Sequence, residues 1–160
     1  MPKREVLKLK KLIISACLLG ESCRYDGKSK PCEAIEELKK NYHLIPVCPE
    51  CMGGLPTPRP PAELQADGRV VNREGRDVTA NYRAGAEATL EIARREGCTL
   101  ALLKEKSPSC GKGRIYDGSF TGTLTDGNGI CAALLTENGI EVLGESEVEK
   151  TFGRFSLKTS

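Results

Sequence analysis

Three short apolar runs, each associated with a cysteine, set the pattern of the chain. The first, residues 11–19, is rich in Leu and Ile and carries Cys17 near its end. The second, residues 44–48, ends in Cys48, and the third, residues 99–104, is followed by Cys110. Short apolar runs bounded by turn residues are typical of buried strands. We therefore predict a strand at each run.

Segments with helical periodicity separate these strands. A helix is predicted after Pro31, and a longer one is expected to be capped by Asp77 or Thr79 and to end at Gly97. Its apolar face consists of Tyr82, Ala86, Thr89, Leu90 and Ala93. A third helix within residues 127–139 precedes a last strand at 140–143, and the tail from Ser146 is predicted to form a short helix.

Alternation of strands and helices predicts an α/β fold with a largely parallel sheet. We expect a single domain over residues 1–160, Rossmann-like, with helices on both faces of the sheet in three layers and residues 1–10 as a basic extension. Residues 52–63 contain four prolines and are predicted to form a stiff loop that could hold Arg59 at a site. A hairpin or edge strand is expected at residues 68–75.

Composition narrows the classes of function. The 24 basic and 22 acidic residues nearly balance, so no macromolecular nucleic acid is expected as a partner. Ile14-Ser-Ala-Cys17 resembles a lipoprotein cleavage box, but the apolar run before it is too short for a signal peptide. No run is long enough for a membrane span, which favours a soluble cytoplasmic protein with reduced thiols. The oligomeric state is left open.

The three cysteines are the strongest candidates for chemistry. In parallel sheets, ligands bind beyond the carboxyl ends of the strands, where these thiols are expected to meet. Thiolates favour zinc or iron–sulfur clusters. Three cysteines without a fourth would leave one iron of a cluster open to substrate.

The other cysteines allow alternatives. Cys48-Pro-Glu-Cys51 could be half of a zinc site or a redox dithiol, although it leads into Gly-Gly-Leu-Pro rather than a helix. Cys98 and Cys131 are expected to be packing residues, and Cys23 and Cys32 are not expected to bind metal.

Two other classes of function compete with a cluster enzyme. A cysteine hydrolase would need a base beside its thiol, and His43 is the only histidine in the chain. A zinc- or cluster-binding structural or sensor module without catalysis is the alternative outside enzymes.

Several motifs resemble those of the thiouracil desulfidase family of bacterial proteins, over about residues 11 to 143. They are Ser15-Ala-Cys17-Leu-Leu-Gly20, Arg24-Tyr-Asp-Gly27, Pro46-Val-Cys48-Pro-Glu50, Gly53-Gly-Leu-Pro-Thr-Pro-Arg59, Ala62-Glu63, Asp77-Val-Thr79 and Lys104-Glu-Lys-Ser-Pro-Ser-Cys110-Gly111.

This resemblance implies a [4Fe–4S] cluster held by Cys17, Cys48 and Cys110, whose fourth iron takes the sulfur of a small thiolated nucleobase. Desulfuration without net redox change and release of sulfide are implied with it. The implied catalytic residues are Glu50 and a serine, either Ser107 or Ser109. The residues expected to bind substrate are Arg24, Tyr25, Asp26, Arg59 and Lys104. The thiol of Cys51 departs from the family pattern, in which this position is usually not cysteine. It could fill the open position on the iron and abolish the chemistry, or it could lie idle.

Overall fold

The computed structural model describes residues 9–20 and 35–147. The strands are β1 (Lys10–Ser15), β2 (Tyr42–Val47), β3 (Ala62–Leu64), β4 (Val70–Asn72), β5 (Leu100–Leu103), β6 (Arg114–Tyr116), β7 (Leu124–Asp126) and β8 (Glu141–Gly144). The α-helices are α1 (Ile35–Asn41), α2 (Pro49–Met52), α3 (Thr79–Glu96) and α4 (Ile130–Glu137), and a 3₁₀ turn covers Ala16–Leu19.

Four strands form a parallel sheet in the order β2-β1-β5-β8. Strand β1 is central, with Ile13 opposite Ile45 of β2 on one side and Ala101 of β5 on the other. The chain thus moves from β1 to β2 and then returns to the opposite side of β1. This reversal puts a topological switch point between β1 and β5, where open α/β sheets bind their ligands.

Alternate residues of each strand face opposite sides of the sheet, which produces two cores. One core joins strand residues such as Ile13 and Leu103 to α3 and α4, and the other joins Leu12 and Ile14 to α1 and the 3₁₀ turn. The predicted single α/β domain with helices on both faces is confirmed. Among the described residues, no helix combines the length and apolar character needed to cross a bilayer.

The longest helix agrees with its prediction. Helix α3 starts at Thr79 and ends at Gly97, which has a φ of 71°. Its N-cap residue is Val78 rather than Asp77 or Thr79, although Asp77 Oδ1 accepts the backbone N–H of Thr79 at 2.9 Å. The predicted apolar face of this helix is buried throughout: Tyr82, Ala86, Thr89, Leu90 and Ala93. The helix predicted for the tail lies mostly outside the described residues.

Several predicted boundaries at strand ends are wrong. Strand β1 stops at Ser15 rather than continuing to residue 19, because the chain coils into the 3₁₀ turn and leaves it at Gly20 with a φ of 97°. Cys17 therefore lies in a turn. The Cys-x-x-Cys motif does open a helix, the short α2, with Cys48 as its N-cap residue.

Two small antiparallel hairpins, β3–β4 and β6–β7, add to the main sheet. The prediction that residues 52–63 contain no regular element is wrong at both ends, because Met52 belongs to α2 and Ala62 begins β3. The prediction of a strand in residues 68–75 is confirmed by β4, which pairs with β3 through Leu64 and Val70.

Candidate active site

A cavity of about 600 Å³ lies at the carboxyl ends of β2, β1 and β5, which are neighbours in the main sheet. Its wall includes Cys17 after β1, Cys48 after β2 and Cys110 in the loop after β5. No disulfide involves any of the three. The sheet order therefore brings thiols that are distant in sequence to one cavity, as the sequence predicts.

Local hydrogen bonds shape the loop that carries the third thiol. Ser107 Oγ accepts from the backbone N–H groups of Ser109 and Cys110 at 3.0 and 3.1 Å. The hydroxyl thus satisfies two donors of a tight turn that would otherwise lack partners. Gly129 lies so close to this turn that a Cβ atom there would stand 2.5 Å from the Ser109 carbonyl oxygen.

Cys110 is deeply buried, with 4% of its surface exposed. Burial raises the pKa of its thiol well above the ordinary value, and nearby Cys131 and Glu50 add to this effect. A hydrogen bond with Ser15 acts in the opposite direction. Ser15 Oγ also accepts the backbone N–H of Lys104 at 2.9 Å, so this hydroxyl links the ends of β1 and β5.

Glu50 and Arg59 form a nearly buried ion pair in the cavity wall. Glu50 Oε2 lies 3.4 Å from Arg59 Nη2, and the side chains are 15% and 4% exposed. Burial alone would lower the pKa of Arg59, but the neighbouring charges of Glu50 and Cys48 raise it. Arg59 Nη1 donates to the Thr57 hydroxyl at 2.9 Å and to the Pro56 carbonyl at 3.0 Å. The proline-rich loop therefore fixes the guanidinium against the carboxylate.

Tyr82 of α3 holds the same carboxylate from another side. Its hydroxyl donates to Glu50 Oε2 at 3.2 Å. Burial raises the pKa of Tyr82 far above its ordinary value, and the charge of Glu50 contributes to the same shift. The tyrosine therefore stays protonated and serves as a fixed donor to Glu50.

A close approach between α3 and α2 makes this arrangement possible. A Cβ atom at Gly85 would lie 1.8 Å from the Pro49 carbonyl oxygen, so a larger residue could not occupy this position without displacing the backbone. Asn81 Nδ2 donates to the Gly53 carbonyl at 2.8 Å just past α2. One face of α3 thus sets the position of the segment that carries Cys48 and Glu50.

The structure separates the two candidate serines. Ser107 lines the cavity, whereas Ser109 is fully buried and its hydroxyl has no hydrogen-bond partner among the described residues. Lys104 also lines the cavity, and its ammonium group pairs with Glu145 Oε2 at 3.0 Å. The predictions for Arg24, Tyr25 and Asp26 lie outside the described residues.

Sequence reasoning missed several cavity residues. The sequence places Tyr82 only on the apolar face of a helix and predicts no role for Glu63 or Phe120, yet all three line the cavity. The burial of a tyrosine on a helix face is a weak signal that its hydroxyl has a partner. Glu63 belongs to the Ala62-Glu63 motif of the family resemblance, but the sequence does not indicate its hydrogen-bond partners, which lie more than fifty residues away.

The donor set fits an iron–sulfur cluster. No three His, Cys, Asp or Glu side chains in residues 9–20 and 35–147 are placed to bind one metal ion. Each thiolate ligand of a cluster binds a different iron, so such ligands stand further apart than those of a single tetrahedral zinc. Three thiols around one cavity are consistent with the cluster arrangement.

Cys51 is not one of the described residues that line the cavity. It is exposed, near the end of α2, and its Sγ lies 3.4 Å from the Thr57 hydroxyl. Its thiol also contacts the Cys48 thiol, and although the residue as a whole is exposed, partial desolvation of the thiol is the largest of the effects that raise its pKa. This position favours a thiol beside the site over one that fills the open position of a cluster.

Replacing Cys51 by serine is expected to leave the iron bound per chain and the activity within about twofold of wild type, because serine is of similar size and can bond Thr57. Cys48→Ser is the matched control, since it alters a cavity thiol on the same turn, and it should lose most of its iron. After anaerobic reconstitution, iron and acid-labile sulfide per chain are measured for both variants, and activity is measured as sulfide release. Equal loss of iron in the two variants would show that Cys51 is a ligand.

Comparisons with known proteins show which proteins this chain is similar to. The family model for 2-thiouracil desulfurase matches residues 12–147. The chain is 40% identical over 146 residues to YbbK, an uncharacterised protein of Bacillus subtilis (strain 168), covering 86% of this chain and 97% of that protein. A solved structure of a [4Fe–4S]-dependent thiouracil desulfidase, TudS, superposes with a TM-score of 0.83 at 47% identity, covering 92% of this chain and 99% of that one.

Proposed function

Because the chain belongs to the 2-thiouracil desulfurase family and is an iron–sulfur-dependent enzyme, we propose that it removes sulfur from thiouracil-like bases by hydrolysis. The carbon–sulfur double bond of the thione is replaced by a carbon–oxygen bond from water, and the sulfur leaves as sulfide. No electrons are gained or lost, so no redox partner is needed. The observation that carries the proposal is the convergence of three thiols on a cavity that also holds Glu50.

Cys17, Cys48 and Cys110 are the proposed ligands of a [4Fe–4S] cluster. When bound, the cluster supplies an iron with an open position, a Lewis acid suited to the sulfur of a thione. The protein keeps the third thiol dry and oriented, through its burial and its hydrogen bond with Ser15. Hydrogen bonds of this kind to a ligand tune both its position and its affinity for metal.

Glu50 is the proposed general base. It lies two residues from a proposed ligand, and its carboxylate reaches the cavity, so it can take the proton of the attacking water. Arg59 and Tyr82 hold Oε2 from two directions and limit the rotation of the carboxylate. The same proton can then pass to the departing sulfur.

Two further residues are proposed to act on the substrate. The Ser107 hydroxyl accepts two backbone N–H groups, which leaves its own proton available to hydrogen-bond the base or the water. Lys104 contributes positive charge at the cavity wall although it is paired with Glu145. Such charge stabilises the negative charge that develops when water adds to the ring carbon.

Anaerobic reconstitution followed by a sulfide assay tests this function. We expect a brown protein with about four irons per chain that releases sulfide from 2-thiouracil or 4-thiouracil and forms uracil in equal amount. Uracil formation distinguishes hydrolysis from other routes of sulfur loss. A fully reconstituted protein that releases no sulfide from these bases or from their nucleosides would contradict the proposal.

A further inference from the structure

The backbone of the cavity wall contains two unusual conformations. Among the described residues, the non-glycine residues with positive φ are Lys106, at 72°, and Phe120, at 59°, and both line the cavity. Such conformations are costly for bulky residues and persist only where the surroundings impose them. Phe120 lies in the loop between β6 and β7, at residues 117–123.

A buried carboxylate holds this loop in place. Glu63 of β3 is 8% exposed, and its Oε1 accepts the N–H groups of Gly118 at 2.9 Å and Phe120 at 3.1 Å. These bonds fix the backbone on both sides of Ser119. A charged group is costly to bury, so two charge-assisted bonds to one loop are a substantial constraint on it.

Within the loop, hydrogen bonds between side chains add to this constraint. Ser119 Oγ bonds Asp117 Oδ1 at 2.5 Å and the Thr121 hydroxyl at 2.6 Å, and Thr121 in turn bonds the Thr123 hydroxyl at 2.8 Å. The Asp117 N–H also donates to the Thr123 carbonyl at 3.0 Å. The loop is therefore closed on itself as well as tied to Glu63.

The side chain of Phe120 has a contact of its own. The Arg73 guanidinium carbon lies 5.6 Å from the centre of the Phe120 ring, within the range of a cation–π contact, and Arg73 also lines the cavity. The ring itself is half-buried. An apolar ring thus stands in a wall whose other members include Glu50, Arg59 and Lys104.

Resting on the proposed function, we propose that Phe120 is the ring-recognition residue of this cavity, against which the flat face of a six-membered heteroaromatic substrate packs. Glu63 and Arg73 are positioning residues for that ring. A thiolated pyrimidine presents polar groups at its edges and π surface on its faces. Polar side chains of the cavity can meet the edges, and Phe120 supplies an aromatic surface for a face.

Kinetics of Phe120→Leu provide one test, because leucine keeps apolar bulk but removes the aromatic face. We expect KM for 2-thiouracil to rise on the order of tenfold, as for loss of base stacking, with kcat within about twofold. Phe120→Tyr should restore the wild-type KM. Glu63→Ala should raise KM by a similar factor. The double variant with Phe120→Leu and Glu63→Ala should have a KM close to that of either single variant, because both changes remove the same contact. An unchanged KM in Phe120→Leu would overturn the proposal.

A binding measurement tests whether a pyrimidine packs beside residue 120, and it does not require turnover. The chain contains no tryptophan, so Phe120→Trp introduces a single tryptophan at the cavity wall, which can be excited apart from the four tyrosines. Titration of the reconstituted variant with uracil should change its fluorescence saturably. Tyr42→Trp, at the start of β2 and the opposite end of the strand from Cys48, is the control and should show no saturable change. A silent Phe120→Trp would overturn the proposal even if wild type releases sulfide, whereas an inactive wild type with a saturable signal would overturn only the proposed function.

Discussion

Replacing Cys110 by serine is expected to abolish iron binding and sulfide release together. The thiol is buried on the cavity wall, and its pKa is raised by burial, so iron must displace its proton on binding. A serine hydroxyl is a harder donor that gives up its proton far less readily, and it cannot replace the thiolate. Iron per chain and visible absorbance after anaerobic reconstitution measure the loss, and we expect sulfide release to fall to background.

Cys98→Ser is the matched control for this prediction. Cys98 is also a buried thiol, 6% exposed, but it belongs to the core between the sheet and α3 and does not line the cavity. The substitution is expected to cost about 1–3 kcal/mol of unfolding free energy, because a hydroxyl is buried in apolar surroundings, while iron content stays at the wild-type value. Full iron binding by Cys110→Ser would remove this cysteine from the ligand set.

Replacing Glu50 by glutamine is expected to lower kcat by about 10²–10⁴-fold, the usual contribution of a general base, while the brown colour persists. The amide has nearly the same shape and can still accept from Tyr82, so the cavity should keep its form. It cannot take a proton from water. Single-turnover release of sulfide, measured beside iron content, separates a slow chemical step from a missing cluster.

Glu87→Gln is the matched control, because it makes the same change of charge on the exposed face of α3. It should leave the rate of sulfide release and the iron content unchanged. If Glu50→Gln keeps wild-type turnover, another group must activate the water. If it loses iron and activity in parallel, the carboxylate supports the cluster rather than the proton transfer.

The main sheet and its helices could be predicted because they rest on local periodicity. Apolar runs marked β1, β2 and β5, and the buried face of α3 follows its 3.6-residue repeat. The convergence of Cys17, Cys48 and Cys110 followed from the general placement of ligands in parallel sheets. These inferences needed only the order of elements along the chain.

Contacts between residues that lie far apart in the sequence were not predictable. Glu63 bonds a loop more than fifty residues further along the chain, and Tyr82 bonds Glu50 across two helices. Nothing in the sequence around Lys104 shows that its partner is Glu145. The short turns were misassigned for a related reason, since the apolar residues after Ser15 suit a strand and a 3₁₀ turn equally well.

The strand order β2-β1-β5 has a consequence for how the enzyme matures. During synthesis the segments carrying Cys17 and Cys48 leave the ribosome well before Cys110, and β5 must then add to the far side of β1. If these thiols are the ligands, no nascent fragment ending before the β5 loop contains a complete site. All three thiols would then be available to a cluster donor only after the loop that carries Cys110 has been made and β5 has paired with β1, and the donor would reach them through a cavity walled in part by Phe120.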